Sequence, residues 1–449
     1  MKKLFGTDGI RGVANEYPMT AEIAMNAGRA IAYLSQRKGH SPRIVVGKDT
    51  RASGDMFEEA IVAGICSMGV DAISAGVLPT PAIAFLTRSM RADAGIVISA
   101  SHNPWQDNGI KIFNADGFKL SDDKEHQIEE LIVSGNSKTL SPSPGQTGKL
   151  LRMDDAGGRY IDFLKSSFPQ NINPEGMHIF LDCSHGATYK VAPAVFSELG
   201  CKVTALFHQP DGKNINLNCG SQHPEALAAE VTRQKAAVGF AFDGDGDRVI
   251  CVDEKGNILT GDRILAICAA LLKKEGKLAN NLVVRTVMSN VGLTVAFQKL
   301  GIDSVLTDIG DRHVLEAMQN RGAVLGGEDS GHIIFTQRHT TGDGLITALQ
   351  VLAAMQKEAR PLSQMAAIMK VFPQMLINLE VKKKPKIESI PEITAAIKEV
   401  EENLGNKGRV LVRYSGTQNM CRVMVEGPTR EETEKYCRQI ADVVQKILA

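Results

Sequence analysis

Gly95-Ile96-Val97-Ile98-Ser99-Ala100-Ser101-His102-Asn103-Pro104 carries both a fold signal and a chemical one. The run from Gly95 to Ile98 is apolar without alternation, the pattern of a strand covered on both faces, as in parallel sheets flanked by helices. It breaks into a polar turn whose Ser101 stands where open α/β sheets present functional groups, at the carboxyl end of a strand. Similar runs recur as Ile44-Val45-Val46, Ile179-Phe180-Leu181 and Leu282-Val283-Val284. Between them, residues 20–36, 54–68, 225–235 and 262–275 carry helical spacing, several behind capping residues. The alternation predicts a parallel α/β architecture.

At 449 residues, the chain is long enough for two to four domains of about 100–200 residues each. Residues 134–148, rich in Ser, Pro and Gly, read as an exposed connection. A second strand series starts near Met177 and a third near Asn281. In the last eighty residues, strands at 377–381, 409–412 and 422–425 lack intervening parallel-type helices. A final helix opens on Thr429 and Glu432 and sets Tyr436, Ile440, Val443, Val444 and Ile447 on one face. This end reads as a small α+β domain closing over the others.

The 51 basic and 51 acidic side chains balance, which argues against a nucleic-acid or membrane-surface partner held by bulk charge. With aromatics at 5% and a single Trp105, a base-stacking surface is also disfavoured. The opening segment has no apolar core of a secretory signal, and the apolar run at 264–272 falls short of the ~20 residues a membrane helix needs. The eight cysteines contain no CxxC pair, so zinc ribbons and thioredoxin-like chemistry are not expected, and a reducing cytoplasm fits.

Phe242-Asp243-Gly244-Asp245-Gly246-Asp247-Arg248 is the strongest chemical signal. Three carboxylates spaced by glycines converge on one hard cation, Mg²⁺ or Ca²⁺, if the backbone turns tightly. An EF-hand counted from Asp243 would place Glu254 at position 12 but Arg248 at position 6, where the turn needs glycine, and the flanks read as strands. Ser101 is a candidate nucleophile, set against the alternative that Ser and Asn merely bond the turn backbone. There is no GxSxG elbow, so an α/β-hydrolase is not supported. Gly326-Gly327-Glu328-Asp329-Ser330-Gly331-His332 suits sugar hydroxyls, or is an ordinary glycine turn. Arg413-Tyr414-Ser415-Gly416-Thr417 with Arg422 has the composition of a phosphate cradle, or of a plain turn between strands.

These four loops, in this order, resemble the α-D-phosphohexomutase superfamily, which interconverts sugar 6-phosphates and 1-phosphates. Phe5-Gly6-Thr7-Asp8-Gly9-Ile10-Arg11-Gly12, Gly76-Val77-Leu78-Pro79-Thr80-Pro81 and Arg422-Val423-Met424-Val425-Glu426-Gly427 extend the resemblance along nearly the whole chain. The first and last of these look most like its bacterial branch acting on glucosamine phosphates. The resemblance implies a heart-shaped protein of four domains: three α/β domains with mixed sheets, at 1–152, 153–256 and 257–370, and a smaller α+β domain at 371–449. Each would supply one loop: phosphoserine, metal, sugar and phosphate in turn.

The same resemblance implies that Ser101 carries a phosphoryl group and that Asp243, Asp245 and Asp247 hold one Mg²⁺, with a phosphoserine oxygen of Ser101 completing the site. Glu328 and Ser330 would read sugar hydroxyls, and Arg413, Ser415, Gly416, Thr417 and Arg422 would grip the phosphate that is not reacting. Arg11, Lys111, Arg248 and His332 match positions with electrostatic or proton-transfer roles. The implied reaction takes D-glucosamine 6-phosphate to D-glucosamine 1-phosphate through a 1,6-bisphosphate, serving amino-sugar and cell-wall synthesis. Alternatives are a glucose or mannose phosphate mutase, a phosphoserine-based sugar phosphatase, or a calcium-binding module over 243–254. A homodimer is plausible by resemblance, without an interface signature in the sequence. Departures from the family pattern fall at Tyr414, Gln418 and Asn419, which remove two prolines and loosen the loop, and at Asp329 and His313, which bear on sugar preference.

Overall fold

A computed structural model describes residues 4–6, 8–36, 41–135, 145–414 and 419–448. The chain divides into two compact units, Met1–Met288 with Asp303–Ala367, and Ser289–Ile302 with Ile368–Ala449.

The first unit holds three sheets. The first, in spatial order, comprises Phe5–Gly6, Gly9–Val13, Asp107–Asn114, Ala94–Ile98, Arg43–Lys48, Asp71–Val77 and Leu150–Arg152. As the apolar runs predict, Arg43–Lys48 pairs in parallel with both Asp71–Val77 and Ala94–Ile98. All five residues of Ala94–Ile98 are buried. Complete burial of Ile96 and Ile98 stabilises the sheet by about 1.5–3 kcal/mol each. The expected helices form at Ala21–Ser35, where Thr20 Oγ1 accepts Ile23 N, and at Gly54–Ser67.

The second sheet runs Ile258–Leu259, Val249–Asp253, Val238–Phe242, His178–Asp182, Lys202–Leu206, and the third Asp303–Thr307, Leu282–Thr286, Leu325–Gly327, Ile333–Phe335. A purely parallel reading is incomplete, because each sheet also contains antiparallel pairs. Ala94–Ile98 pairs antiparallel with Asp107–Asn114, Val238–Phe242 with Val249–Asp253, and Leu325–Gly327 with Ile333–Phe335. A direct turn suffices to join antiparallel neighbours, whereas parallel ones require a crossover. The Ser101 turn, the aspartate loop and the Glu328–His332 loop are the three turns so formed. Of the 134–148 connection, residues 136–144 lie outside the described part.

In the second unit, Gln374–Glu380, Met420–Glu426 and Arg409–Tyr414 form an antiparallel sheet backed by Pro391–Leu404 and Arg430–Leu448. Glu432 N donates to Thr429 Oγ1 at 3.2 Å, which is the expected cap. The apolar face of the last helix is shifted from the expected one: Cys437, Ile440, Ala441, Val444 and Leu448 are buried, while Ile447 is 39% exposed. At 100° per residue, Ile447 falls on the edge of the stripe that Ile440 and Val444 define. The crossover helix Val291–Leu300 belongs to this unit although the strands on either side of it belong to the other. Its first N–H, from Val291, meets Glu426 Oε2 at 2.7 Å, and Glu426 also pairs with Arg409.

Candidate active site

Ser101 follows its strand after a two-residue step and takes a left-handed backbone, φ +53°. Its Oγ donates to Asp243 Oδ2 at 2.6 Å and lies 3.3 Å from His102 Nδ1. Burial, then the nearby Arg248 and Arg11 cations, push His102 down to about 4, so its ring is neutral near pH 7.

The aspartate loop is the turn between Phe242 and Val249, which face each other across the pair. Strands on both sides eliminate the EF-hand, and the Glu254 carboxylate instead accepts from Ser363 N and Oγ. Gly246 has φ +71°, a conformation glycine adopts without Cβ strain. At Gly244, a Cβ would stand 2.6 Å from Ser101 O, so the serine turn and the aspartate loop pack backbone to backbone. Each aspartate offers an oxygen within 4.8 Å of the other two, all three side chains being buried. Thr80 Oγ1 and Lys111 Nζ donate to Asp245 Oδ2 at 2.5 and 2.8 Å. Asp245 Oδ1 and Asp247 Oδ1 are buried without a hydrogen-bond donor among the described residues.

Burial, with Asp247 and Asp245 beside it, holds the Asp243 carboxyl well above the ordinary range. Burial also acts to raise Asp247, but Lys111 and His332 outweigh it and hold that carboxyl well below. Clustered buried carboxylates with undonated oxygens are a hard-cation donor set, so the residues fit a divalent metal.

Basic groups surround the triad. Lys111 Nζ is 2.8 Å from Asp245, 3.3 Å from Asp8 and 3.5 Å from Asp247, and although burial disfavours its charge, those carboxylates hold the ammonium well above its usual range. Arg11 pairs with Asp8, and Lys119 bridges Asp8 to Asp311. His332 sits 3.6 Å from both Asp247 and Asp311; burial acts to lower its pKa, and the two carboxylates raise it on balance. Arg248 Nη1 lies 3.0 Å from His102 Nδ1. The structure therefore gathers Ser101, Arg11, Lys111, Arg248, His332 and the three aspartates. It adds Thr80, Asp8, Lys119 and Asp311, of which Asp8 and Thr80 lay inside quoted motifs.

In the 328–332 loop, Glu328 Oε1 accepts Gly310 N at 3.0 Å and Oε2 lies 3.5 Å from Ser330 Oγ. Asp329 Oδ1 accepts Asp262 N at 3.2 Å and its carbonyl accepts Gly261 N, capping helix Gly261–Lys274. In the second unit, Arg413 and Arg422 are direct cross-strand partners, a like-charge opposition that an anion relieves. Burial and Arg422 lower the Arg413 pKa, and Arg422 Nε is buried without a partner among the described residues. Ser415, Gly416 and Thr417, together with Gln418, lie outside the described residues.

Models of the phosphoglucomutase/phosphomannomutase family match the chain with alpha/beta/alpha domain I on residues 2–139, domain II on 158–256, domain III on 260–372 and the C-terminal domain on 376–443. The chain belongs to this family. Phosphoglucosamine mutase of Syntrophus aciditrophicus is 66% identical over 448 residues, covering 100% of both chains. That of Syntrophobacter fumaroxidans is 58% identical over 99% of each. Identity of that order along whole chains sets this one in the phosphoglucosamine mutase branch. Among solved structures, a phosphoglucomutase/phosphomannomutase family protein from Burkholderia thailandensis superposes with TM-score 0.82 at 24% identity, covering 99% of this chain and 98% of that one. Aspergillus fumigatus N-acetylphosphoglucosamine mutase, in complex with GlcNAc-6P and magnesium, gives TM-score 0.69 at 18% identity, covering 99% and 96%. At those identities the likeness is one of fold. Among the described residues, no helix is long and apolar enough to cross a membrane.

Proposed function

We propose that this chain interconverts D-glucosamine 6-phosphate and D-glucosamine 1-phosphate, using a phosphorylated Ser101 and a glucosamine 1,6-bisphosphate intermediate. The observation that carries the reading is the Ser101 Oγ–Asp243 contact of 2.6 Å in a buried carboxylate triad, in a chain whose full-length relatives bear the phosphoglucosamine mutase name. Asp243, Asp245 and Asp247 would hold one Mg²⁺. When bound, that cation neutralises charge on the transferring phosphoryl oxygens.

In the first half-reaction the sugar 1-hydroxyl oxygen attacks the phosphorus on Ser101. The P–Oγ bond breaks as the P–O1 bond forms, the hydroxyl proton is given up, and Ser101 Oγ takes one up. In the second, after the bisphosphate has turned round, Ser101 Oγ attacks the phosphorus on O6: the P–Oγ bond forms as the P–O6 bond breaks, the serine proton is given up, O6 takes one up, and the 1-phosphate is released. Lys111 and His332 are the groups assigned to the protons, and Arg11 and Arg248 to the phosphoryl charge, because positioning and charge balance dominate such transfers. Glu328 and Ser330 would bind sugar hydroxyls. Arg413 and Arg422, with Ser415, Gly416 and Thr417, would take the phosphate that is not transferring. The four segments 1–152, 153–256, 257–370 and 371–449 would each supply one of these loops. A cytoplasmic homodimer is the proposed form; the eight cysteines, all unpaired, support the reducing compartment.

Turnover of glucosamine, glucose and mannose 6-phosphates, with and without Mg²⁺, tests the reading. Glucosamine 6-phosphate is expected to lead, and Ser101→Ala to abolish isomerisation. Preferred turnover of mannose 6-phosphate, or near-normal activity in Ser101→Ala, would overturn it.

A further inference from the structure

The left-handed conformation of Ser101 costs a residue with a Cβ about 1 kcal/mol or more and persists only where its surroundings over-determine it. Arg51, 3% exposed, supplies that determination. Its Nη2 donates to Ser101 O at 2.9 Å and Asn103 O at 2.8 Å. Its Nη1 donates to Asp107 O at 3.0 Å and to Pro104 O. Its Nε donates to Asp49 Oδ2 at 2.9 Å, and the same oxygen accepts Ser99 Oγ at 2.6 Å. Four carbonyls of one turn thus converge on one guanidinium, whose five donors form a planar fork.

A second clamp comes from the segment after the second sheet's outer strand. Asn216 Nδ2 donates to Ser101 O at 2.9 Å and to Asn103 O at 3.0 Å. The Ser101 and Asn103 carbonyls therefore each receive both an arginine and an asparagine donor. A lysine could not reproduce the arrangement, being a point charge with three donors on a flexible stem.

We infer that Arg51 and Asn216 are a positioning pair: they fix the backbone of Ser101 in the conformation from which its Oγ gives and receives the phosphoryl group. Neither is assigned a contact with the reacting atoms, and the inference rests on the reading of Ser101 as the phosphoryl carrier. Binding of the sugar lies with other residues, so the pair governs the chemical step and leaves affinity nearly untouched.

The test compares full-length wild type, Arg51→Lys and Asn216→Gly. Glycine retains the +60° φ of Asn216 and removes only its amide. Each protein is incubated with glucose 1,6-bisphosphate, phosphate on Ser101 is followed by intact mass and peptide localisation, and kcat and KM are measured beside Tm. Arg51→Lys is expected to lose ~100-fold in kcat, the scale of a ~1 Å misplacement, and Asn216→Gly ~10-fold. KM should stay within ~3-fold of wild type in both, and Ser101 phosphorylation should slow in parallel with kcat. Wild-type phosphorylation rates and kcat in both variants, or a KM rise accounting for the loss, overturn the positioning role alone. If Arg51→Lys does not fold, Asn216→Gly decides. A wild-type protein that takes no phosphate on Ser101 instead sinks the phosphoserine reading, and this inference with it.

Discussion

Gly244→Ala isolates the packing of the aspartate loop against the serine turn. A Cβ on residue 244 would lie 2.6 Å from Ser101 O, 2.8 Å from Asn216 Nδ2 and 2.9 Å from Ile215 Cδ1. Ordinary contact begins at 3.4 Å, so the loops must part by about 0.8 Å (3.4 − 2.6). The nearest atom is backbone, which no rotamer change relieves. A shift near 1 Å costs ~10²-fold in rate, equivalent to ~2.7 kcal/mol in the barrier. The overpacking itself costs ~1–3 kcal/mol of stability, so the variant should fold with a lowered Tm. Steady-state isomerisation at saturating substrate and Mg²⁺ gives kcat directly. Gly158→Ala is the control: nothing lies within 4 Å of its Cβ position, and it sits inside helix Ala156–Ser167. That control should keep full activity and gain up to ~1 kcal/mol from helix propensity. A Gly244→Ala enzyme with kcat within ~2-fold of wild type would refute the close-packing argument.

Two other outcomes are expected. Arg413→Ala removes one of two facing guanidinium groups, so the sheet should gain ~0.2–1 kcal/mol while KM for the sugar phosphate rises ~10-fold or more; an unchanged KM would remove this pair from substrate binding. Asp343, whose carboxyl takes Tyr160 OH and caps helix Gly344–Glu358, is pushed up to about 7 by burial. The folded chain then keeps a proton that the unfolded chain releases near ~3.9. Its contribution to stability is therefore full below that value and is lost as pH rises to about 7. Asp343→Asn should flatten the fall in urea midpoint over this window, with Asp182, also pushed up to about 7 by burial, leaving a residual slope. An identical pH dependence in wild type and variant would contradict the assignment.

The buried carboxylate cluster was legible because its spacing is local: Asp243, Asp245 and Asp247 are alternate residues of one turn, and strand composition on both sides argues against an EF-hand. The place of Ser101 at the end of a buried strand was legible because an apolar run stops just before it, while its chemical role came from the family resemblance. The supports of these residues were not. Thr80 reaches Asp245 across 165 positions, and Arg51 acts on the serine turn from 50 positions upstream. Nothing in the local composition of either marks its partner. Asp329, a departure from the family pattern, accepts the first N–H groups of helix Gly261–Lys274, a commitment its loop sequence does not mark. The antiparallel strands after each loop were expected only through the family resemblance, which implies mixed sheets, because apolar content reports burial and carries no direction.

The allegiance of helix Val291–Leu300 has a consequence for the chain during its synthesis. Leu293, Ala296 and Phe297 are buried in the finished protein, yet the Glu426 carboxylate that receives Val291 N is translated more than a hundred residues later. At ~5–20 residues per second, that helix waits roughly 6–25 seconds on the ribosome before its own unit exists. During that interval the acceptor of its first N–H is missing, as are the residues from Ile368 onward that complete its unit. The same interleaving means that a stop codon between 303 and 367 leaves both units incomplete, since the first resumes at Asp303 and the second at Ile368.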